Sequence, residues 1–269
     1  MGVIVAKEYT RGHPSPEYIE AVRLGRHYHE TKKVFTGRHC FQQYPILRQL
    51  CLQHNTTSIL DWGAGRGHQL TYRDIRLLNH KDDEEKHVYD SWQSALGVDE
   101  YVLYDPCVPQ FEKLPPADRS FGGVFSVDVL NYIPQPDLGD WVLDTMFSYA
   151  TQWVFSSFAL YPGKKVLADG SLGHKTIGSM ESWLALWNEA GKKRPSVEWH
   201  VRIEADVPPL THRYFAGQGG TFEERERFFK VWKPDQLKTL TKKQREELEM
   251  IAKSQRSPID PHAFRKNNQ

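Results

Sequence analysis

The sequence predicts an α/β chain built on a doubly wound, mostly parallel sheet. Three observations predict it. An apolar run ends in an acid and passes at once into closely spaced glycines, in Ser58-Ile59-Leu60-Asp61-Trp62-Gly63-Ala64-Gly65-Arg66-Gly67. Two further apolar runs, at 101–105 and 121–128, also end in an acid. Between and after them the chain alternates strand-patterned and helix-patterned segments, the order that gives parallel strands joined by crossovers. Such sheets bind ligands beyond the carboxyl ends of their strands. Asp61, Asp105 and Asp128 are therefore expected to converge on one pocket.

Taken in order, residues 1–55 read as an N-terminal helical arm. Tyr18, Ile19, Val22 and Leu24 recur near helical spacing over 16–30, and Tyr44, Leu47, Leu50 and Cys51 do so over 40–54. Residues 56–218 read as the sheet domain. Its strands are expected near 58–62, 101–105, 121–127, 152–158, 197–204 and 210–216, and its helices near 67–79, 107–112, 137–150 and 180–190. Residues 219–269 read as a charged, helix-prone extension, with a capping box at Thr241-Lys242-Lys243-Gln244 and an apolar cluster of Phe228, Phe229, Val231 and Trp232. That cluster would dock on the body or on a second subunit as a homodimer contact.

The stretch from Asp61 to Asp105 is about twice the ~20 residues usual for a βαβ unit. It contains the charged run Asn79-His80-Lys81-Asp82-Asp83-Glu84-Glu85-Lys86-His87, read as a solvated insertion, with a specificity lid as the alternative. A second irregular connection, 164–179, is placed where it could cover the pocket.

Composition narrows the classes. The 269 residues include 8 Trp and 13 Phe, enough for a substantial core. No apolar run is long enough to cross a bilayer, so no membrane partner is expected. The first residues lack the pattern of a signal peptide. Cys40, Cys51 and Cys107 form no C-x-x-C, which fits a reducing, cytoplasmic compartment and no metal site. A net charge of +1 does not advertise nucleic acid, although a local patch could still bind it.

The glycines at 63, 65 and 67 do not follow the dinucleotide pattern G-x-G-x-x-G, since His68 stands at its third glycine. An apolar strand, Asp and then G-x-G-x-G resembles motif I of class I S-adenosylmethionine (SAM) methyltransferases. Tyr101-Val102-Leu103-Tyr104-Asp105-Pro106 resembles that family's second strand and its acid. Phe121-Gly122-Gly123-Val124-Phe125-Ser126-Val127-Asp128-Val129-Leu130-Asn131-Tyr132-Ile133-Pro134 resembles its fourth strand and following turn, with Gly122 in place of the usual Asp and Asn131-Tyr132 in place of Glu-His. Leu167-Ala168-Asp169-Gly170-Ser171-Leu172-Gly173-His174-Lys175-Thr176, followed by Trp183, is similar to a stretch of a narrower bacterial and phage-type group. In that group a Y-x-x-x-H and F-x-G lie upstream, loosely matched here by Tyr28-His29 and Phe35-Thr36-Gly37.

The resemblance covers roughly residues 25 to 190. It implies a Rossmann-like, seven-stranded-type sheet, SAM as cofactor and methyl transfer to oxygen or nitrogen of a polar small-molecule or glycan-like acceptor. The cofactor set it implies is Asp61, Trp62, Gly63, Ala64, Gly65, Gly67, Tyr104, Asp105, Pro106, Asp128, Val129 and Leu130. Asp105 would accept hydrogen bonds from the ribose hydroxyls, Asp61 would hold a cationic amine, and a helix starting near Gly67 would turn free N–H groups to the ligand. His174 leads the candidates for a proton-accepting or acceptor-binding group, followed by Tyr132 and His29. Two rivals remain open: a nucleic-acid or nucleotide methyltransferase using the basic extension, and a non-catalytic binding or assembly module. The first lacks a D/N-P-P-Y/F signature, and a pure scaffold has no need of the acid-and-glycine set.

Overall fold

In the computed structural model, residues 9–32, 35–73, 75–76, 88–205 and 211–225 are described. The charged run at 79–87, the capping box and the 228–232 cluster lie outside the described residues. Among the described residues nine strands occur: β1 (Ser58–Trp62), β2 (Ile75–Arg76), β3 (Val88–Tyr89), β4 (Glu100–Tyr104), β5 (Phe121–Val127), β6 (Ala150–Ala159), β7 (Glu198–Ala205), β8 (Thr211–Gln218) and β9 (Thr221–Arg225). Seven of them form one sheet in the order β4-β1-β5-β6-β7-β8-β9, and β2 and β3 make a separate two-stranded ladder. The first five sheet strands are parallel; β8 and β9 add an antiparallel meander at the far edge. Numbered by chain order, the parallel strands run 2-1-3-4-5, which puts the switch point between β1 and β5.

The helices are α1 (Pro16–Lys32), α2 (Tyr44–His54), α3 (Trp92–Leu96), α4 (Gln135–Asp137), α5 (Asp144–Tyr149) and α6 (Met180–Lys193). A π-helical turn, Leu138–Leu143, joins α4 to α5 without a break. Strand side chains alternate between the two faces of the sheet. Leu60, Val124, Val154, Val201 and Ile203 share a core with Phe147 of α5 and with Trp183 and Trp187 of α6. Within it, Trp183 stacks on Phe158 at 4.2 Å. On the other face Tyr101 meets Phe125, and Trp92 of α3 bonds the Tyr101 hydroxyl.

Several expected elements differ. No α-helix occurs in the described part of 67–79, residues 67–73 and 75–76. Gly67 has φ 67, and a single 3-10 turn, His68–Thr71, follows it before the chain extends at Tyr72. No helix follows Pro106 either: Asp105 N–H bonds the Phe111 carbonyl, closing 105–111 into a loop of turns. The second arm helix starts at Tyr44 rather than residue 40, because Arg38–Gln43 is a 3-10 turn. Gly219-Gly220, expected to end the sheet domain, is instead the turn of a hairpin, and the sheet continues through Arg225. The three cysteines are free. No described helix is long and apolar enough to cross a membrane.

One tie between the start of the arm and the body is a buried acid. Ser15 caps α1, its Oγ accepting the Tyr18 N–H at 3.0 Å. The same hydroxyl and the Ser15 N–H donate to Asp137, which also accepts the Trp141 indole N–H at 2.9 Å. Both Ser15 and Asp137 are fully buried. Asp137→Ala removes three bonds and orphans two buried N–H donors, so urea denaturation is expected to show a loss of about 3 kcal/mol. A loss below about 1 kcal/mol would show that the arm is held elsewhere.

Candidate functional site

A cavity of about 770 Å³ opens beyond the carboxyl ends of β4, β1 and β5, at the switch point. This is within the size range of small-molecule sites. Its walls come from α1, the 35–42 segment, the glycine turn, the turns after β4 and β5, and the 163–175 connection. One face of α1, carrying Tyr18, Ala21, Val22, Gly25 and His29, forms a wall at helical spacing.

Of the twelve cofactor positions expected from sequence, nine line the cavity: Asp61, Trp62, Gly63, Ala64, Gly65, Asp105, Pro106, Asp128 and Val129. Gly67, Tyr104 and Leu130 do not. Leu130 is fully buried in the core, and the Tyr104 ring packs on Trp62 at 4.6 Å. Tyr104 serves the site through its backbone, since its carbonyl accepts the N–H groups of Gly63 and Ala64 at 2.7 and 3.0 Å.

The glycine turn does not offer its amides to a ligand. Gly65 N–H donates to Asp105 Oδ2 at 2.8 Å. Arg66 and His68 donate to the carbonyls of Phe35 and Thr36, and Gly67 donates to Ala64. With Gly63 and Ala64 on Tyr104, all six N–H groups from 63 to 68 are bonded within the protein. The glycines are required by close approach instead. A Cβ on Gly63, at φ 82, would lie 2.4 Å from Val129 Cγ2, and one on Gly65, at φ 60, would lie 2.2 Å from the Phe35 carbonyl oxygen. A turn bonded this way is no phosphate cradle, which disfavours a dinucleotide.

The three strand-end acids sit in different environments. Asp61 is 3 % exposed, and its Oδ2 accepts the Tyr101 hydroxyl at 2.6 Å and Gln69 Nε2 at 2.8 Å. Burial raises its pKa to about 7 against those two hydrogen bonds, with the Asp105 charge adding to the rise. Asp105 accepts Gly65 N–H on one oxygen and Cys107 N–H on the other. Burial pushes its pKa up, opposed by those donors. Each of its oxygens keeps one lone-pair direction for a further donor. Asp128 opens onto the cavity. Its burial is outweighed by hydrogen bonds from His39 and Ser157, which hold it below the usual carboxylate range.

The three residues expected to act on an acceptor all line the cavity. His174 and His29 lie on opposite sides of an aromatic row: Tyr132 meets His174 edge-on at 5.0 Å and Phe35 at 5.3 Å, and Phe35 lies 5.1 Å from His29. The Lys165 ammonium sits 3.6 Å from the Phe35 ring centroid, a face that favours cations. His29 is pushed down to about 4 by burial and then by the charges of Arg66 and Lys165. His174 is lowered by burial, and its Nδ1 either accepts the Gly163 N–H or donates to the Tyr161 carbonyl, according to its tautomer.

Sequence reasoning missed the partners that hold these groups. Gln69, fully buried, belongs to the segment read as an exposed-to-ligand helix start. Asn131, a departure from the resembled pattern, is 1 % exposed and bonds Ala159 and Thr176 backbone through its amide, while its own carbonyl accepts Lys175 and Thr176 N–H. It thereby clamps the 163–176 connection to the end of β6. An Asn in a polar turn carries no sequence signal for that role. His39 was missed because nothing near it in sequence marks it.

Among the described residues no group of three or more His, Cys, Asp or Glu side chains is gathered for a metal ion. The chain matches no family model, no curated protein and no solved structure.

Two outcomes are expected. Gly63→Ala should lose about 2 kcal/mol or more by denaturant titration, part of it recovered in Gly63→Ala/Val129→Ala, since the clash is with Val129. No recovery would make the positive φ alone responsible. Asp61→Asn keeps an oxygen for Tyr101 and Gln69 but carries no charge. The folded pKa of Asp61 is above its unfolded value near 4, so wild-type stability falls as pH rises from about 4 to about 7. Asp61→Asn should therefore gain on the wild type by a few kcal/mol across that window in pH-resolved melts, and parallel curves would mean that Asp61 stays charged throughout.

Proposed function

We propose that this chain is a class I SAM-dependent methyltransferase acting at oxygen or nitrogen of a polar small-molecule or glycan-like acceptor. The observation that carries the reading is the convergence of Asp61, Asp105 and Asp128, from three adjacent parallel strands, on one cavity at the switch point. When bound, SAM supplies a methyl group on a sulfonium, already activated for direct displacement.

The residues present fit such a molecule. Asp105 keeps one lone-pair direction on each oxygen, the arrangement that receives two vicinal hydroxyls. Asp61 is a buried carboxylate whose ionisation is penalised, and a cationic amine beside it would relieve that penalty. The glycine turn admits close approach without presenting free amides, which suits an uncharged nucleoside portion better than a pyrophosphate. The 163–175 connection, fixed by Asn131, covers the cavity and limits competing water.

Isothermal titration with SAM and with S-adenosylhomocysteine tests the reading. Binding in the micromolar range is expected for both, with a heat that depends on buffer ionisation near pH 7, because a cation beside Asp61 ejects its proton. Asp61→Asn should abolish that buffer dependence and weaken binding about tenfold. A folded sample that binds neither ligand would overturn the proposal.

A further inference from the structure

The cavity holds a histidine–carboxylate pair whose histidine none of the expected roles uses. His39 Nδ1 lies 2.8 Å from Asp128 Oδ2, and Asp128 Oδ1 accepts the Ser157 hydroxyl at 2.9 Å. His39 and Asp128 both line the cavity. They come from distant parts of the chain: His39 from the 3-10 turn Arg38–Gln43, Asp128 from the end of β5, Ser157 from β6.

The carboxylate is aimed by its backbone. Asp128 has φ 57, a conformation that L side chains rarely adopt, and its N–H is bonded to the Ser157 carbonyl at 2.9 Å. Strain of this kind costs about 1–3 kcal/mol and persists only where the surroundings impose it. Ser157 fixes Asp128 at both main chain and side chain, leaving Oδ2 directed at His39.

An ionised carboxylate only accepts hydrogen bonds. Its partner Nδ1 must carry the proton, so the lone pair of the neutral ring lies on Nε2. Among the described residues Nε2 of His39 has no hydrogen-bond partner, and the side chain is 63 % exposed at the cavity. A ring oriented through Nδ1–H on a carboxylate, with Nε2 open, is the arrangement of a general base. The other two histidines of the cavity lack it: His29 is buried without a carboxylate, and His174 has its Nδ1 on backbone groups.

We propose that His39, oriented by Asp128, is the proton acceptor for the methyl acceptor's hydroxyl or amine. The inference rests on the methyltransferase reading. As the acceptor heteroatom forms its bond to the methyl carbon, the sulfur keeps the electron pair of the broken C–S bond and the acceptor's proton passes to His39 Nε2. The Asp128 carboxylate then faces an imidazolium. Other charged or titratable groups facing the pair are Arg202 on β7, His212 on β8, Lys165 and His174 on the 163–175 connection, and Tyr132.

The test uses the full chain in three measurements. Imidazole ¹⁵N spectra of the neutral ring read the His39 tautomer. Titration calorimetry reads SAM affinity. Transfer of label from methyl-tritiated SAM into a protein-free small-metabolite extract reads turnover. The Nδ1–H tautomer is expected for His39. His39→Gln should lower transfer about 100-fold or more, with the SAM dissociation constant unchanged within about twofold. An Nε2–H tautomer in the wild type, or transfer kept in His39→Gln, would overturn the proposal. Failure of the wild type to bind SAM would instead overturn the methyltransferase reading, and the tautomer would still decide whether Asp128 orients His39.

Discussion

Backbone N–H groups at the start of a site usually wait for a ligand, yet here those from Gly63 to His68 end on Tyr104, Asp105, Ala64, Phe35 and Thr36. Buried amides must find partners, and this turn finds them on itself and on two separate segments. It therefore joins β1 to the end of β4 and to the 35–37 loop. The cavity depends on that joint. It holds Asp105 in place by the Gly65 N–H, it sets Phe35 against the opening, and it carries Gln69 inward to Asp61.

The joint also explains why the acids differ in character. Asp61 leads into the turn and Asp105 accepts its Gly65 N–H, and burial raises the pKa of both. Asp128 lies across the cavity on the end of β5, where His39 and Ser157 favour its ionised form. Environments that push similar carboxyl groups apart in pKa are how one pocket supports different tasks. At neutral pH Asp61 is poised to receive positive charge and Asp128 keeps a fixed negative one. The same cavity holds the row of Phe35, Tyr132 and His174, with Lys165 on the ring face of Phe35.

Much of the sheet was legible. β1 and β5 fall where apolar runs ending in an acid predicted them, because a buried parallel strand must be apolar on both faces. The segments that failed are those whose pattern was read without its partners. Residues 67–79 have helical composition, but Gly67 enters at positive φ and the Phe35 and Thr36 carbonyls take the Arg66 and His68 amides, so a 3-10 turn ends the segment early. The Gly219-Gly220 turn reads as a boundary by composition, and only pairing with β8 makes 221–225 a strand.

By itself the sequence determined the α/β class, the strands that carry Asp61, Asp105 and Asp128, and the need for small residues in the turn between them. Those features follow from local pattern: apolar periodicity, strand ends and glycine spacing. Tertiary structure alone decided that the turn amides are closed, that Gln69 and Tyr101 hold Asp61, that Asn131 clamps the covering connection, and that His39 reaches Asp128. Most of these contacts join residues far apart in the chain, through a handful of hydrogen bonds. A polar residue looks the same in sequence whether it faces solvent or a buried partner, and only the packed strands and turns bring that partner within 3 Å.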